Sequence, residues 1–265
     1  MQATKSGEPL AIPANKESPP DAPSARTQAS GVRERLLDTS ELLFAELGYA
    51  ACTFRAISAQ SGINQGLLHY YFTSKQNLFT EVFLRRAHVI AARRVALLDA
   101  AEAQWGAGQV PLETLVRHFL TPALEMAQQG EGGRAFVRIH SQLRGEAGDL
   151  GLALRRQAFG DSTERYVSAL CAACPHLSAE AVYWRFNFMV GSYLVVSSQA
   201  GRLEDYSGGA CAASNMQAAL DQLVPFAIAG FLAAPPLAST AAPAGASPDA
   251  SPGAPPRSQS GASRP

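Results

Sequence analysis

The sequence predicts an all-α protein of about nine helices, with three short helices near the N-terminal end and longer ones after them. Apolar residues recur at helical spacing nearly throughout, as at Leu36, Leu43 and Leu47. Alternating runs of β-branched residues, which would indicate strands, do not occur. Glycines and prolines interrupt the helical pattern at intervals, for example at Gly48 and Gly62, and so separate the predicted helices.

The composition sets limits on the class of protein. A chain of 265 residues with 47% apolar and 17% charged residues has room for a small domain and a larger one. No apolar run approaches the ~18 residues that a membrane span needs, and no basic segment precedes an apolar run at the start. Four scattered cysteines do not suggest a disulfide framework. We therefore expect a soluble protein of the reducing cytoplasm.

The ends of the chain differ in composition from the middle. Residues 1–30 and 235–265 are rich in proline, alanine and serine, a composition that cannot bury enough apolar surface to fold. We expect both to be disordered tails. Between them, residues 31–80 are predicted to form a first domain and residues 81–234 a larger helical one.

The most informative segment is Thr53–Leu78. Thr53 can cap a helix whose apolar face carries Phe54 and Ile57, and Gly62 can end that helix in a left-handed conformation. Asn64 can then cap a second helix after a short turn. This spacing is typical of a helix-turn-helix, the motif that inserts its second helix into the major groove of DNA.

The second helix of this motif has two different faces. Ile63, Leu68 and Phe72 would pack it against the first helix. Its other face would expose Gln65, Gly66, Leu67, His69 and Tyr70. Glutamine can read adenine edges and glycine permits close backbone approach, while the other residues would contact phosphates. Thr73 and Gln76 form a predicted capping box for a third helix, and Lys75 in its first turn is expected to share a phosphate with free backbone N–H groups.

The whole segment resembles the TetR/AcrR family of regulators. The matching residues are Thr53, Ile57, Gly62, Ile63, Gly66, Leu68, Tyr71, Phe72, Ser74, Lys75 and Leu78, and Arg33–Gly48 resembles the family's first helix. Two residues depart from the pattern, because Ser58 stands where alanine is common and His69 where a DNA-contacting tyrosine is common. The resemblance implies a homodimeric repressor that binds a palindromic operator and is released by a ligand. The implied DNA contacts are Thr53, Arg55, Asn64, Gln65, Gly66, Leu67, His69, Tyr70 and Lys75.

Charge gives little further support for DNA binding. Within residues 31–80 the basic side chains are balanced by acidic ones, and the whole chain has a formal net charge of zero. Arginines 85, 86, 93 and 94 follow on the predicted long fourth helix, where most of them are expected to form a solvated face.

The larger domain is expected to bind an effector and to dimerise. The candidate pocket residues are apolar with a few polar groups: Phe119, Phe136, Ile139, His140, Leu143, Phe159, Tyr166, Phe186 and Val190. The stretch 183–193 is similar to regulators that respond to fatty acids or acyl thioesters, which implies a lipophilic effector. Each of these residues could instead be plain core.

A helix over 179–200 is apolar around most of its circumference and must be covered on two sides. We expect one side to pack in the domain and the other to pair with a second subunit, together with the last helix. The candidate interface residues are Tyr183, Met189, Tyr193, Leu220, Leu223 and Phe231. The alternative is that all of them are intrachain core.

Other kinds of site have little support. The Cys171-x-x-Cys174 pair and His176 lack the second ligand pair of a structural zinc site, so we expect no metal and no other cofactor. No phosphate loop, HExxH or GxSxG occurs, which argues against an enzyme. The remaining alternative is a helical small-molecule-binding or interaction protein without specific DNA binding.

Overall fold

A computed structural model of the protein describes residues 25–143, 148–198, 202–212 and 214–235. These ranges contain ten α-helices and no strand, which confirms the predicted fold class. The predicted C-terminal tail lies outside the described residues except for its first residue, and residues 1–24 of the predicted N-terminal tail lie outside them as well. Ala25–Ser30 are helical, so the first helix begins earlier than its predicted start at Gly31.

The helices follow one another with short connections. Their bounds are α1 Ala25–Ala51, α2 Phe54–Ser61, α3 Gln65–Tyr71, α4 Lys75–Trp105, α5 Leu112–Ala127, α6 Gly130–Gln142, α7 Gly148–Ala173, α8 Ala179–Ser198, α9 Arg202–Tyr206 and α10 Met216–Leu232. The short α9 was not foreseen in the sequence.

The first three helices and the start of α4 form the small N-terminal domain. Its core contains Phe44, Ile57, Leu68 and Phe72, all completely buried. Gly48 interrupts the regular backbone of α1 with a φ of +77°, so the predicted break falls where expected, and the chain then turns into α2.

Helix α4 belongs to both domains. Its N-terminal half buries Leu78, Val82 and Phe83, and its C-terminal half buries Ile90 and Leu98. The larger domain packs α5 and α7 against α4, and α10 against α5 and α8. Helix α6 contacts both α8 and α1, so it is a second link between the two domains.

None of the helices in the described ranges has the length and apolarity that a membrane span requires.

Candidate DNA interface and effector cavity

The two caps predicted for the helix-turn-helix are present. The hydroxyl of Thr53 accepts a hydrogen bond from the backbone N–H of Ala56 at 3.2 Å. The Oδ1 atom of Asn64 accepts one from the N–H of Leu67 at 2.8 Å. Gly62 ends α2 with a φ of +70°, a conformation that glycine adopts without a steric penalty. The local sequence therefore defines both ends of the turn.

Ser58, one of the two departures from the family pattern, stabilises this turn. Its hydroxyl donates a hydrogen bond to the carbonyl oxygen of Ile63 at 2.6 Å. The Ser61 hydroxyl accepts from the N–H of the same Ile63 at 3.2 Å. Both backbone groups of Ile63 are thus satisfied by serines of α2, so the serine at position 58 supports the motif.

The outer face of α3 is polar and solvent-accessible. Asn64, Gln65, Gly66 and His69 are exposed, and Tyr70 is 79% exposed. On the opposite face Leu68 is completely buried.

Two residues of the predicted contact set are less free than expected. Leu67 is partly buried and packs against the core, so only part of its surface faces outward. The ring of His69 lies against Phe54, with the ring centroids 4.8 Å apart. His69 therefore joins α3 to the start of α2 while remaining exposed.

Thr53 and Arg55 lie at the N-terminus of α2, and both are exposed. Arg55 forms no ion pair with any carboxylate in the part of the chain that the structure describes. Its guanidinium is therefore available to an external anion such as a phosphate.

The cap of α4 is Ser74, whose hydroxyl accepts from the N–H of Asn77 at 3.0 Å, so the predicted cap at Thr73 was wrong.

Lys75 has an intramolecular role that was not predicted. The Lys75 ammonium donates to the carbonyl oxygens of Tyr49 at 2.9 Å and Ala50 at 3.1 Å, and it lies 4.6 Å from the centre of the Tyr49 ring. An ammonium has three N–H donors, so these bonds leave one for a phosphate.

The prediction that most of the α4 arginines form a solvated face was wrong. The buried carboxylate of Glu41 on α1 accepts from Arg85 Nη2 at 3.0 Å and from Arg86 Nε at 2.7 Å. Arg94 is 2% exposed, and of the four only Arg93 is exposed. The cause is the position of α4 between α1 and the helices of the larger domain.

The larger domain contains a cavity of about 630 Å³ among α4, α5, α6, α7 and α8. Of the residues predicted to line a pocket, Phe119, His140, Phe159, Phe186 and Val190 do so. The cavity is also lined by Arg94, Leu152, Arg155, Arg156, Gly160, Thr163, Glu164, Tyr183, Asn187 and Tyr193.

The other predicted pocket residues, Phe136, Ile139, Leu143 and Tyr166, do not line this cavity and are buried in the packed core. The Tyr166 hydroxyl donates to the backbone carbonyl of Arg94 at 3.0 Å, and burial raises the pKa of this phenol.

Arg94 is the most deeply buried of the charged lining residues that the sequence did not predict for this cavity. It falls in register with Ala87, Ile90, Leu98 and Ala101 on the buried face of α4. A charged residue inside an apolar helical stripe is the pattern that could have identified it.

The predicted dimer residues are largely buried within one chain. Met189, Tyr193, Leu220, Leu223 and Phe231 are each at most 8% exposed, so they cannot form a free face, and only Tyr183 is exposed. The large exposed apolar side chains on these two helices are Tyr183, Trp184, Phe188 and Val195 of α8 and Phe226 and Leu232 of α10. We call this set the α8–α10 surface. Both helices thus have exposed apolar side chains as expected, but Tyr183 is the only predicted interface residue among them.

His176 and the nearby cysteines pack as part of the fold. The Nε2 atom of His176 lies 3.1 Å from the carbonyl oxygen of Phe231, and Cys174 is buried. Within the described ranges no group of three or more His, Cys, Asp or Glu side chains could hold a metal ion.

Two family models match the chain. The first, described as bacterial regulatory proteins of the tetR family, matches residues 36–82. The second, described as the tetracyclin repressor-like C-terminal domain, matches residues 117–230. The first match lies in the N-terminal domain together with the start of α4, and the second lies in the larger domain.

Curated relatives include the HTH-type transcriptional repressor KstR2 of Mycolicibacterium smegmatis, 33% identical over 99 residues, which are 37% of this chain and 45% of the relative. KstR2 of Rhodococcus jostii is 43% identical over 53 residues, 20% of this chain and 26% of that protein. The matched segments therefore span less than half of either relative.

Solved structures share the fold at low sequence identity. A tetR family transcription regulator from Shewanella sp. PV-4 has a TM-score of 0.53 at 18% identity, covering 76% of this chain and 95% of that chain. A mutant of HlyIIR with an alanine-substituted segment has a TM-score of 0.50 at 14% identity, covering 74% and 96%. With both domain models matched in order and the helix-turn-helix in its expected geometry, the chain belongs to the TetR family of bacterial regulatory proteins.

Proposed function

We propose that the protein is a sequence-specific DNA-binding repressor that binds a palindromic operator as a homodimer and is released by a small lipophilic effector. The observation that carries this proposal is the capped α2–α3 unit, whose outer face is polar and exposed while its inner face is fixed by Leu68 and Phe72. Such a helix can enter a major groove without changing its own packing. We expect the protein to act in the cytoplasm, where it meets DNA.

Two subunits are needed to read both halves of a palindrome. The recognition helices of a dimer must lie about 34–36 Å apart, or a multiple of that distance, to reach successive major grooves. The α8–α10 surface supports this proposal, because it includes the exposed rings of Trp184 and Phe188, whose centroids lie 5.9 Å apart, and exposed aromatic side chains are enriched at protein interfaces.

A route from the cavity to the DNA-binding domain runs through α6. His140 lines the cavity, and two residues later the Gln142 amide donates to the carbonyl of Ala45 on α1 at 3.2 Å. A ligand that favours a different position of α6 would also favour a different position of α1. It would lower operator affinity to the extent that it prefers one dimer shape over the other.

The test is selection of random duplexes by the purified full-length protein, followed by sequencing of the retained DNA. Recovery of an inverted repeat supports the proposal. Failure of the folded dimer to enrich any sequence contradicts it and favours a helical ligand-binding or interaction protein.

A variant refines the test at the level of one base pair. Gln65→Ala on α3 should relax base preference at one position of each half-site, since it removes donors and acceptors that can pair with a base edge. Gln104→Ala, exposed near the far end of α4, is the matched control and should leave the recovered motif unchanged.

A further inference from the structure

Arg94 is a buried cation without an ion-pair partner among the described residues. Its side chain is 2% exposed, and none of the ion pairs in those ranges includes it. The Nε–H donates to the carbonyl oxygen of Phe119 at 2.9 Å. The Nη2 atom is buried and has no hydrogen-bond partner.

Aromatic rings compensate this charge only in part. The guanidinium carbon lies 3.7 Å from the centre of the Phe119 ring, 5.7 Å from that of Phe159 and 5.8 Å from that of Tyr193. Ring faces attract a cation, but they do not accept the hydrogen bonds that Nη2 can donate. A buried donor left unsatisfied is costly, so the site is incomplete as it stands.

Other arginines of α4 show how this chain neutralises a cation in its interior. Arg85 and Arg86 share the carboxylate of Glu41, which is 1% exposed. Arg94 is more deeply buried than either and faces the cavity instead of a carboxylate. Among the described residues that line the cavity, Glu164 is the only acidic one and it is exposed, whereas Arg155 and Arg156 add positive charge to the lining.

We propose that the effector is a carboxylic acid with an apolar body, whose carboxylate binds Arg94 inside this cavity. The inference rests on the proposed function for its regulatory meaning, although binding can be measured independently. A carboxylate supplies the missing acceptor and the missing charge together, and Phe159, Phe186 and Val190 would pack against the apolar body. The carbonyl of an ester or thioester accepts a hydrogen bond but leaves the charge uncompensated.

The experiment compares n-alkanoates from octanoate to hexadecanoate with alkan-1-ols of the same chain length, using calorimetry on the full-length protein below the micelle concentration. We expect the best acid to bind at least about tenfold more tightly than its alcohol, as a charge-assisted hydrogen bond implies. Binding of no acid in the series, or equal binding of acids and alcohols, would overturn the proposal.

Two variants identify the residue responsible. Arg94→Met keeps an unbranched side chain but removes the charge, and it should abolish the preference for the acid. Arg156→Met, at an exposed position of the cavity lining, should keep it. Retention of the full preference by Arg94→Met contradicts the assignment. If Arg94→Met does not fold, the comparison of acid and alcohol on the unaltered protein decides whether the site prefers a carboxylate, and loss of the preference in Arg156→Met would contradict the assignment to Arg94.

Failure of this inference is distinguishable from failure of the proposed function. A protein that enriches an inverted repeat but binds no alkanoate is a DNA-binding regulator with another effector. This result contradicts the carboxylate proposal and leaves the operator-binding proposal supported. A protein that binds alkanoates through Arg94 but enriches no DNA supports the site, and only the operator-binding proposal falls.

Discussion

Individual side chains around the helix-turn-helix differ in how far they are bound into the fold. Lys75 illustrates this, because its ammonium binds the last carbonyl groups of α1 while it stands in the first turn of α4. Burial raises the pKa of the Cys52 thiol to about 11, and the positive charge of Lys75 opposes this rise to a smaller degree. Arg55, in contrast, is exposed and ion-pairs with no described carboxylate.

The different environments of these two residues lead to a prediction. Lys75→Met should lower the free energy of unfolding by about 1–2 kcal/mol, since it removes charge-assisted hydrogen bonds at a partly buried position. Arg55→Met should leave stability unchanged while weakening binding to all duplexes and reducing the salt slope by about one. Urea denaturation and DNA titrations at several salt concentrations measure both effects. Unaltered stability of Lys75→Met would mean that its bonds to α1 contribute nothing.

At the scale of elements, the contact of α1, α4 and α6 depends on a small residue. A Cβ atom added to Gly132 of α6 would overlap Arg86 and meet Glu41, the buried ion pair between α4 and α1. A methyl group at this position would therefore have to displace the Arg86 guanidinium from Glu41.

We therefore expect Gly132→Ala to cost about 1–3 kcal/mol of stability, because displacement of Arg86 would remove one partner of the buried Glu41 carboxylate. Gly31→Ala in α1, where an added Cβ meets no other atom within 4 Å, is the control and should be neutral or stabilising. The double variant Gly132→Ala with Glu41→Gln tests whether the loss acts through the Arg86–Glu41 ion pair, with stability measured by denaturation. If both changes act on the same ion pair, the double variant loses less than the sum of the single losses, whereas additive losses would exclude that mechanism.

The packing of α5 on α4 adds a dependence on pH. The pKa of His118 on α5 lies below its ordinary value of 6.5, mainly because burial disfavours the charged ring, with Arg93 and Arg117 lowering it further and a hydrogen bond with the Leu97 backbone opposing the shift. The neutral form is therefore the one that the fold favours.

The sign of the effect follows from proton linkage. His118 contributes full stability above about pH 6.5, and this contribution falls as the pH drops below that value, because the unfolded state takes up the proton first. The loss levels off below the lowered pKa of the folded state. Denaturation at several pH values should show that the free energy of unfolding decreases less on acidification for His118→Gln than for the unaltered protein. His88→Gln changes a histidine at an exposed position and should behave as the unaltered protein does. Parallel curves for His118→Gln and the unaltered protein would refute this.

For the whole molecule, the α8–α10 surface is the feature that we propose as the contact between two subunits. Trp184, Phe188 and Val195 follow one another at helical spacing along α8, and Phe226 extends the surface onto α10. Their exposure in a single chain is what a subunit interface would cover.

A charge in the centre of this surface should separate the subunits. Phe188→Glu is expected to sediment as a folded monomer and to lose about 100-fold or more in operator affinity, because binding of the second half-site is no longer intramolecular. Val89→Glu, at an exposed apolar position on α4, is the control and should remain dimeric. A Phe188→Glu protein that sediments as a dimer would exclude this surface as the interface.

The sequence by itself determined what depends on neighbours along the chain. Caps at Thr53 and Asn64, the left-handed glycine at position 62 and the 3.6-residue period were sufficient to predict the helices and the helix-turn-helix, since these features act within a few residues. The resemblance to the family rested on the same local pattern.

Only the tertiary structure decided which side of each helix is covered. The period shows that α8 is apolar all round, but whether Tyr193 or Phe188 meets solvent depends on where other helices of the chain pack. The same holds for Arg94. The run of arginines in the sequence predicts a solvated face, but the packing of α4 places Arg94 in the lining of the cavity, where its Nη2 atom has no hydrogen-bond partner. Burial of a side chain is a property of several helices together, so a pattern on one helix cannot specify it.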